Sequence, residues 1–360
     1  MAVTEAGAGP AGYELLGLDD LTDPSPDAIF ELFEARGWGD GLPLVLPTEQ
    51  RVERMLAADP GDAEEALSVL PPRNGIATRR IVAVNAVLAG CRPEHFPVIT
   101  TAVRALGRDE LDTKGCQATT GPNAPLLVVH GPAADALGFN SGHGLFGPGN
   151  RANATVGRAV RLVLMHVGGA RASHGSKSTQ GQPSQYTFCI AENAAASPWE
   201  AYHRSRGLDA ENAITIAFTE NPHNSNDHTS EDPVGVLTSV ASVVATLGCN
   251  HTWAGQSEVF IVLGPEHAAT IASAGWSRAD VQSYLYEKAR LSRGTMRVGG
   301  CSGMDSWPPW MFAFDDGQML PVTQHPDLYR VFVAGGAGKH SAVLPSWGVT
   351  TSVTVPLDLP

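Results

Sequence analysis

The sequence predicts an α/β fold on three observations. Helical patterns alternate along the chain with short apolar runs of strand length. The two clearest runs, LLVVHGP (126–132) and EVFIVLGP (258–265), both end in Gly-Pro, a turn signal after a buried strand. The chain has 360 residues, of which 43% are apolar and 17% charged. This composition excludes intrinsic disorder and allows a sizeable core.

The first elements are a loose arm and two helices. Residues 1–25 are rich in Gly, Ala and Asp and predict the arm. Ser25 followed by Pro26 is typical of a helix start, and DAIFELFEARG continues that helix to a glycine stop. EQRVERMLAA (49–58) has amphipathic helical spacing. We therefore expect two short helices before the first strand.

Two later stretches share one order of elements. The apolar helices IVAVNAVLAGC (81–91) and LTSVASVVATLGC (237–249) both end in Gly-Cys, where glycine is expected to stop the helix. Each is followed by a Gly-Pro strand and two further helices, the last of which opens with a Ser277…Asp280 capping box. This order predicts an internal duplication of a helix–strand–helix–helix unit. The alternative is that strand–Gly–Pro–helix is simply a common α/β junction.

The predicted duplication divides the chain into two α/β halves. The first half covers 26–220, and the second covers 221–360 and includes C-terminal strands.

Charge and cysteine content restrict the partners and the compartment. The net charge of −13 predicts that the surface repels nucleic acid and anionic lipid. The N-terminus lacks a signal-peptide pattern, and no apolar run is long enough to span a membrane. Five widely spaced cysteines without a CxxC motif argue against a disulfide framework or a zinc ribbon. We therefore expect a reduced, cytoplasmic protein.

Two glycine-rich motifs resemble nucleotide sites but lack essential parts. GHGLFG (142–147) follows a helix rather than a strand and has no acidic residue about 20 positions later. GGAGKHS (335–341) has Val333 in place of the first P-loop glycine and His340 in place of the magnesium-binding Ser or Thr. Neither motif predicts an organic cofactor. The second could still form a backbone nest that binds an anion.

Residues 136–191 contain no Asp or Glu but five Arg and Lys residues. A window of +5 within a −13 chain favours capture of a small anion, with Arg151, Arg158 and Lys177 as ligands. The window includes a loop leading into a helix that Asn153 or Thr155 could cap, and helix N-termini bind anions. The alternative is that these bases pair with carboxylates elsewhere in the fold. The further predicted substrate-binding residues are Gln117, Thr119, Thr120, Asn140, Ser141, His143, Asn153 and Thr179.

A second polar cluster, ENPHNSNDHTSEDP (220–233), follows the apolar strand AITIAFT. Loops at the carboxyl ends of parallel strands carry ligands in α/β folds. His223, Asp227 and His228 could therefore act as general acid and base, with Asn226 binding substrate. The same three residues could instead hold a divalent metal. The plainer alternative is a solvated turn before the next helix.

Two further residues complete the predicted catalytic set. Cys301 lies between glycines in RVGGCSGMDSW, where backbone amides could lower the pKa of a thiol. His340 lies in the C-terminal glycine-rich loop. By contrast, Cys91 and Cys249 follow helix stops and are expected to be buried packing.

Five stretches together resemble an uncharacterised bacterial family associated with UGSC-type cysteine/selenocysteine domains. They lie within residues 38–292 and read WGDGLPLVLPT, FGPGNRANATVGRAVRL, YTFCIAENAAASPWE, PHNSNDH and VLGPEHAATIASAGWSRADV. The resemblance implies reductive or thiol-linked chemistry. The sequence departs from the fused form of that family because it has no Cys-Gly-Ser-Cys pair, and Gly-Gly-Cys-Ser-Gly at 299–303 is not equivalent.

The sequence therefore predicts an enzyme that acts on a small anionic metabolite by acid–base, lyase-type or thiol-assisted chemistry. One alternative is a metal-dependent hydrolase or lyase that uses His223, Asp227 and His228. Another is a non-catalytic subunit that presents a substrate to a redox partner protein. A homo-oligomer is compatible with each of these predictions.

Overall fold

Two four-stranded sheets form the centre of the protein. A computed structural model describes residues 25–299, 307–348 and 350–360. The predicted arm lies outside these residues except for Ser25, whose side chain caps the first helix. The helices are α1 Pro26–Ala35, α2 Glu49–Leu56, α3 Arg79–Ala89, α4 Phe96–Ala105, α5 Thr113–Ala118, α6 Ala133–Ala136, α7 Arg151–His166, α8 Tyr202–Ser205, α9 Pro233–Val244, α10 Asn250–Ala254, α11 Pro265–Ser273, α12 Arg278–Lys288 and α13 Arg293–Val298.

Most strands belong to the two large sheets, and two short pairs, β1–β2 and β8–β9, lie outside them. The strands are β1 Ala66–Leu70, β2 Gly75–Thr78, β3 Ala124–His130, β4 Cys189–Ala191, β5 Ala213–Thr219, β6 His223–Asn226, β7 Val259–Leu263, β8 Arg290–Ser292, β9 Met319–Pro321, β10 Tyr329–Val333, β11 His340–Pro345 and β12 Val353–Pro356. The combination of helices with mixed sheets confirms the α/β prediction.

The two large sheets have the same internal arrangement. In the first sheet, β3 pairs in parallel with β4 and antiparallel with β5, and β12 pairs antiparallel with β5. In the second, β7 pairs in parallel with β10 and antiparallel with β11, and β6 pairs antiparallel with β11. The first sheet takes its edge strand from the other predicted half of the chain, whereas all four strands of the second sheet lie within 221–360. Thus β12 leaves the predicted second half and joins the sheet of the first.

The sheets pack face to face and carry helices on their outer faces. Leu126 and Val128 of β3 meet Phe260 and Val262 of β7 in the core between the sheets. The alternate residues of the strands face outward, because side chains in a strand point to opposite faces in turn. Those of the first sheet pack on α3, α4 and α7, and those of the second on α9, α11 and α12. Burial on both faces explains the continuous apolar runs.

Several predicted helix ends are confirmed by the structure. Ser25 caps α1 with Pro26 in its first turn, Gly90 ends α3 in a left-handed conformation, and Ser277 and Asp280 form a capping box. No helix among the described residues has both the length and the apolar character needed to cross a membrane.

Three local predictions are wrong. The helix predicted over 237–249 is α9, which begins at Pro233 and ends at Val244, before Gly248. The segment predicted as a loop after AITIAFT contains β6, because β11 supplies backbone partners to His223–Asn226. In addition, β5 is antiparallel to both of its neighbours rather than a parallel strand.

The predicted cap of α7 is also wrong. Asn150 caps this helix by accepting a hydrogen bond from the backbone N–H of Asn153. Thr155 instead donates its hydroxyl to the carbonyl of Arg151, inside the helix.

Candidate functional site

A cavity of about 220 Å³ opens at one end of the space between the two sheets. We call it the edge cavity. Leu145, Val262 and Ala334, which belong to the core between the sheets, form part of its wall. The lining residues are 142–146, Asn224, Val262, Gly264, 334–338 and 340–342. None of them is acidic, and the cavity is therefore suited to an anion.

The glycine-rich loop between β10 and β11 forms one wall of the edge cavity. The N–H of Gly335 donates to the carbonyl of Ser141 at 2.8 Å, which joins this loop to the segment after α6. A Cβ on Gly336 would collide with the His143 imidazole, so only glycine permits this approach. Within the described chain, the N–H groups of Gly336, Ala337 and Gly338 donate no hydrogen bond. These amides are available to an anion.

His340 lies at the mouth of the edge cavity with a fixed orientation. Its Nδ1 lies 3.0 Å from Oδ1 of Asn224. Because an amide oxygen only accepts, Nδ1 carries the proton and Nε2 keeps its lone pair in the neutral ring. The ring of His228 packs against His340 edge-on, with centroids 5.0 Å apart. Asn224 therefore orients His340 as a base whose reactive nitrogen is Nε2.

A hydrogen-bonded chain connects the cavity wall to the start of α11. Nε2 of His267 lies 3.0 Å from the carbonyl of Asp227, and Nδ1 lies 2.8 Å from Oγ of Ser341. The carbonyl accepts, so Nε2 carries the proton and Nδ1 accepts from the Ser341 hydroxyl. Burial lowers the pKa of His267, which keeps the ring neutral at pH 7. Ser341 also accepts from the N–H of Gly264 at 3.2 Å.

The carboxylate of Asp227 orients neither His223 nor His228. It accepts hydrogen bonds from the backbone of Thr229 and Ser230 and from the hydroxyls of Ser230 and Ser239. These bonds, led by the one from the Ser230 backbone, lower its pKa to about 2. The prediction that this carboxylate orients a histidine is therefore wrong. The carboxylate instead binds Thr229, Ser230 and Ser239 around the start of α9.

His223 and Asn226 occupy the two ends of β6. His223 pairs with Val343 of β11, and Asn226 pairs with His340. Both side chains are exposed. Asn226 therefore lies beside His340, which lines the edge cavity. His223 lies at the other end of the strand.

The predicted cationic ligands do not converge on one place. Arg158 forms an ion pair with Asp40 at 2.7 Å, and the Asp40 side chain is almost fully buried. Arg151 donates to the carbonyl of Gly90, which ends α3. Lys177 donates to the carbonyl of Ser173 in its own loop. Of these three bases, Arg158 pairs with a distant carboxylate, as the alternative for the acid-free window predicted, whereas Arg151 and Lys177 bind backbone carbonyls.

Asn140, Ser141 and Asn153 support the edge cavity rather than line it. The amide of Asn153 accepts from the N–H of Asn140 and donates to its carbonyl, at 2.9 and 3.0 Å. The side chain of Asn140 in turn donates to the carbonyl of His143. These bonds fix the segment that carries His143 into the cavity wall.

The other predicted binding residues hold local structure. Gln117 accepts from the buried guanidinium of Arg161 at 2.7 Å. The Thr119 hydroxyl accepts from the N–H of Gly121, and Thr179 donates its N–H to the carbonyl of Thr120. None of these residues lines the edge cavity.

One group of possible metal ligands occurs within the described residues, and it is not the predicted one. Ligand atoms of His130, Glu192 and His203 lie within 4.8 Å of one another, all of them buried. Both ring nitrogens of His130 are hydrogen-bonded, to Glu192 at 2.7 Å and to Thr215 at 2.8 Å. In His203, Nε2 lies 3.0 Å from the carbonyl of Ala210, and Nδ1 has no partner among the described residues. His223, Asp227 and His228 form no such group in the described chain.

The predicted thiol, Cys301, lies outside the described residues. Cys91 is buried as expected, and burial raises the pKa of its thiol to about 12. Cys249 is half-buried at the start of α10.

Sequence reasoning missed His267 and Ser341. Two signals could have indicated them. His267 is the third residue after Gly264 in a strand–Gly–Pro junction, and Ser341 directly follows the predicted His340.

No protein-family model, curated protein or solved structure matches this chain. What the site can do follows from its residues and their geometry.

Proposed function

We propose that the protein is an enzyme that binds a small anionic metabolite in the edge cavity and moves protons with His340. The main support is the hydrogen bond from His340 to Asn224. It leaves Nε2 as a base in a cavity that no acidic residue lines. A positioned histidine contributes ~10²–10⁴-fold to proton-transfer rates.

The anion binds to the backbone of the glycine-rich loop. The amides of Gly336, Ala337 and Gly338 provide neutral donors, and Lys339 adds a positive charge beside them. Lys339 is tied to the carbonyl of His228 at 3.1 Å, which keeps it near the loop. This loop replaces Arg151, Arg158 and Lys177 as the source of anion affinity.

The histidines have different roles in the proposed reaction. His340 abstracts a proton from a carbon next to the bound anionic group, which is the first step of lyase-type chemistry. His143, which lies against Gly336 in the cavity wall, returns a proton to the leaving group. The Ser341–His267 chain holds the start of α11 and one wall of the cavity.

The internal duplication is a further proposal. The two large sheets share the same order and direction of strands, which supports it. The thiol-linked chemistry implied by the UGSC-associated family stays a prediction that depends on Cys301.

The proposal is tested without knowing the substrate, by deuterium exchange. The wild type is incubated in D₂O with a mixture of small carboxylates, and loss of C–H signals is followed by ¹H NMR. We expect exchange in at least one compound, and His340→Gln reduces the exchange rate by about 10²-fold. His174→Gln, an exposed histidine outside the cavity, is the matched control and leaves the rate unchanged.

Binding of a carboxylate without any exchange would contradict the catalytic proposal. That result would favour the alternative of a non-catalytic substrate-binding subunit.

A further inference from the structure

A second and larger cavity lies at the amino end of β10. Its volume is about 480 Å³, and it separates the segment around Tyr202 from α12. We call it the arginine cavity, because Arg206, Arg278 and Arg330 line it. It shares no lining residue with the edge cavity.

Two of the three arginines have a buried nitrogen without a hydrogen-bond partner. Arg330 is only 4% exposed and pairs with Glu258, yet its Nε is unpartnered within the described residues. Arg278 donates one terminal nitrogen to the carbonyl of Glu200 at 2.7 Å, and its Nε is likewise unpartnered. Buried guanidinium nitrogens are normally hydrogen-bonded, so two unpartnered ones in the wall of one cavity are a feature that needs an explanation.

Tyr202 forms part of the same wall and is 2% exposed. Two bonds from its N–H to the carboxylate of Glu192, at 2.9 and 3.1 Å, fix its backbone. The ring also stacks on His130, with centroids 5.5 Å apart. This part of the wall is therefore held in place before any ligand binds.

Two carboxylates, those of Glu200 and Asp327, also line the cavity, but neither is paired with Arg206 or Arg278. Within the described chain neither arginine forms an ion pair, and neither do Glu200 and Asp327, whose side chains are exposed. Glu258 is already used by Arg330 and by the N–H of Ser352. Among the described residues, Arg206 and Arg278 therefore form no ion pair that a ligand carboxylate would have to displace.

Another part of the wall is apolar. Trp199, Tyr329 and Val331 line the cavity, and the guanidinium of Arg278 lies 5.9 Å from the Trp199 ring. Pockets of ~300–1,000 Å³ with apolar walls and a few placed polar groups are typical of small-molecule sites.

We infer that the arginine cavity is a binding site for a small carboxylate with an apolar body. Arg206 and Arg278 bind the carboxylate, since a planar guanidinium matches the geometry of that group. Trp199 and Val331 contact the apolar body. The site is independent of the edge cavity and of the function proposed there.

The test uses benzoate as the probe, in isothermal titration calorimetry of the full chain. We expect saturable binding to the wild type. Arg278→Gln and Arg206→Gln each weaken it by at least ~10-fold, as expected for loss of a charge-assisted hydrogen bond. Arg206 is exposed, so its substitution leaves folding intact even if Arg278→Gln lowers the melting temperature. Arg204→Gln is the matched control, because Arg204 pairs with Asp209 outside the cavity, and it keeps wild-type affinity.

Two other compounds separate the parts of the inference. Benzyl alcohol lacks the charge and inorganic phosphate lacks the apolar body, so both bind more weakly than benzoate. Equal binding of benzyl alcohol overturns the role of the arginines, and equal binding of phosphate overturns the role of the apolar walls.

The location of the probe is tested with Gly336→Ala, which alters only the edge cavity and leaves benzoate affinity unchanged. Loss of benzoate binding in Gly336→Ala but not in Arg278→Gln overturns the inference, as does absence of saturable binding up to ~10 mM benzoate.

Discussion

The central strands β3 and β7 are each followed by a glycine that packs against the backbone at the start of another strand, but the polar groups beside the two ends differ. Gly131 after β3 and Gly264 after β7 both lie against a backbone carbonyl at the start of the next antiparallel strand, so that a Cβ at either would collide with it. At the first end, His130 is fully buried and satisfied by Glu192 and Thr215. At the second end, the polar groups surround the open edge cavity.

The same backbone arrangement is thus combined with two kinds of histidine, one with both ring nitrogens bonded and one with a free nitrogen. A buried histidine with a carboxylate partner fixes strands in place, because both groups lose their solvent and depend on each other. A histidine with one fixed nitrogen and one free nitrogen can exchange protons with a ligand. We therefore expect stability to depend on the first end, and the proposed chemistry to depend on the second.

The largest expected effect follows from removing His130. We predict that His130→Ala lowers the free energy of unfolding by ~3–5 kcal/mol, because buried Glu192 loses its ring partner and keeps only the N–H of Tyr202. Urea denaturation at pH 7 measures this change. The same substitution at the open end, His340→Ala, alters stability by no more than ~0.5 kcal/mol, because the side chain is exposed. Equal losses in the two variants would remove the distinction between the ends.

A buried histidine without a carboxylate sharpens the comparison through its pH dependence. His251 is fully buried, donates only to the carbonyl of Val244, and has its pKa lowered by burial to about 4. Between about pH 6.5 and pH 4 the unfolded chain binds this proton and the folded chain does not. The free energy of unfolding therefore falls as the pH falls through this window.

We predict that His251→Gln reduces the pH slope of stability by up to ~1.4 kcal/mol per pH unit in this window. Urea denaturation of both proteins at several pH values provides the slopes. Replacement of the exposed His325 by Gln is the control and leaves the slope as in the wild type. A slope unchanged by His251→Gln would show that this ring is not held neutral by the fold.

The smallest expected effect concerns the glycine-rich loop. We predict that Gly336→Ala weakens binding of inorganic phosphate at the edge cavity by about 10-fold, because its Cβ displaces His143 and disturbs the free amides. Isothermal titration calorimetry measures the affinity. Gly317→Ala is the matched control, since a Cβ there meets no atom within 4 Å. Unchanged phosphate affinity in Gly336→Ala would exclude the loop as the anion site.

The sequence predicted elements whose signals are local. The apolar runs of β3 and β7 and the capping residues Ser25 and Ser277 depend on neighbours within a few positions, and the structure confirms them. The strand β6 was missed because HNSN has low strand propensity and forms only through pairing with β11.

The candidate site depends on contacts that are distant in sequence. Arg158 could not be excluded as an anion ligand, because its partner Asp40 lies 118 positions earlier. His340 meets Asn224 across 116 positions, and His267 meets Ser341 across 74. The sequence identified His143 and His340 as polar loop residues but could not bring them to one cavity.

The central claim is that His340 is an oriented base at an anion-binding cavity, while His130 is a structural group. Long-range ¹H–¹⁵N NMR of histidine-labelled protein tests it most directly, since it reports the tautomer of each ring. We expect His340 to carry its proton on Nδ1. We also expect the signals of His340 to shift when inorganic phosphate is added, while those of His130 do not move. A proton on Nε2 of neutral His340, or a phosphate response at His130 and none at His340, would contradict the account.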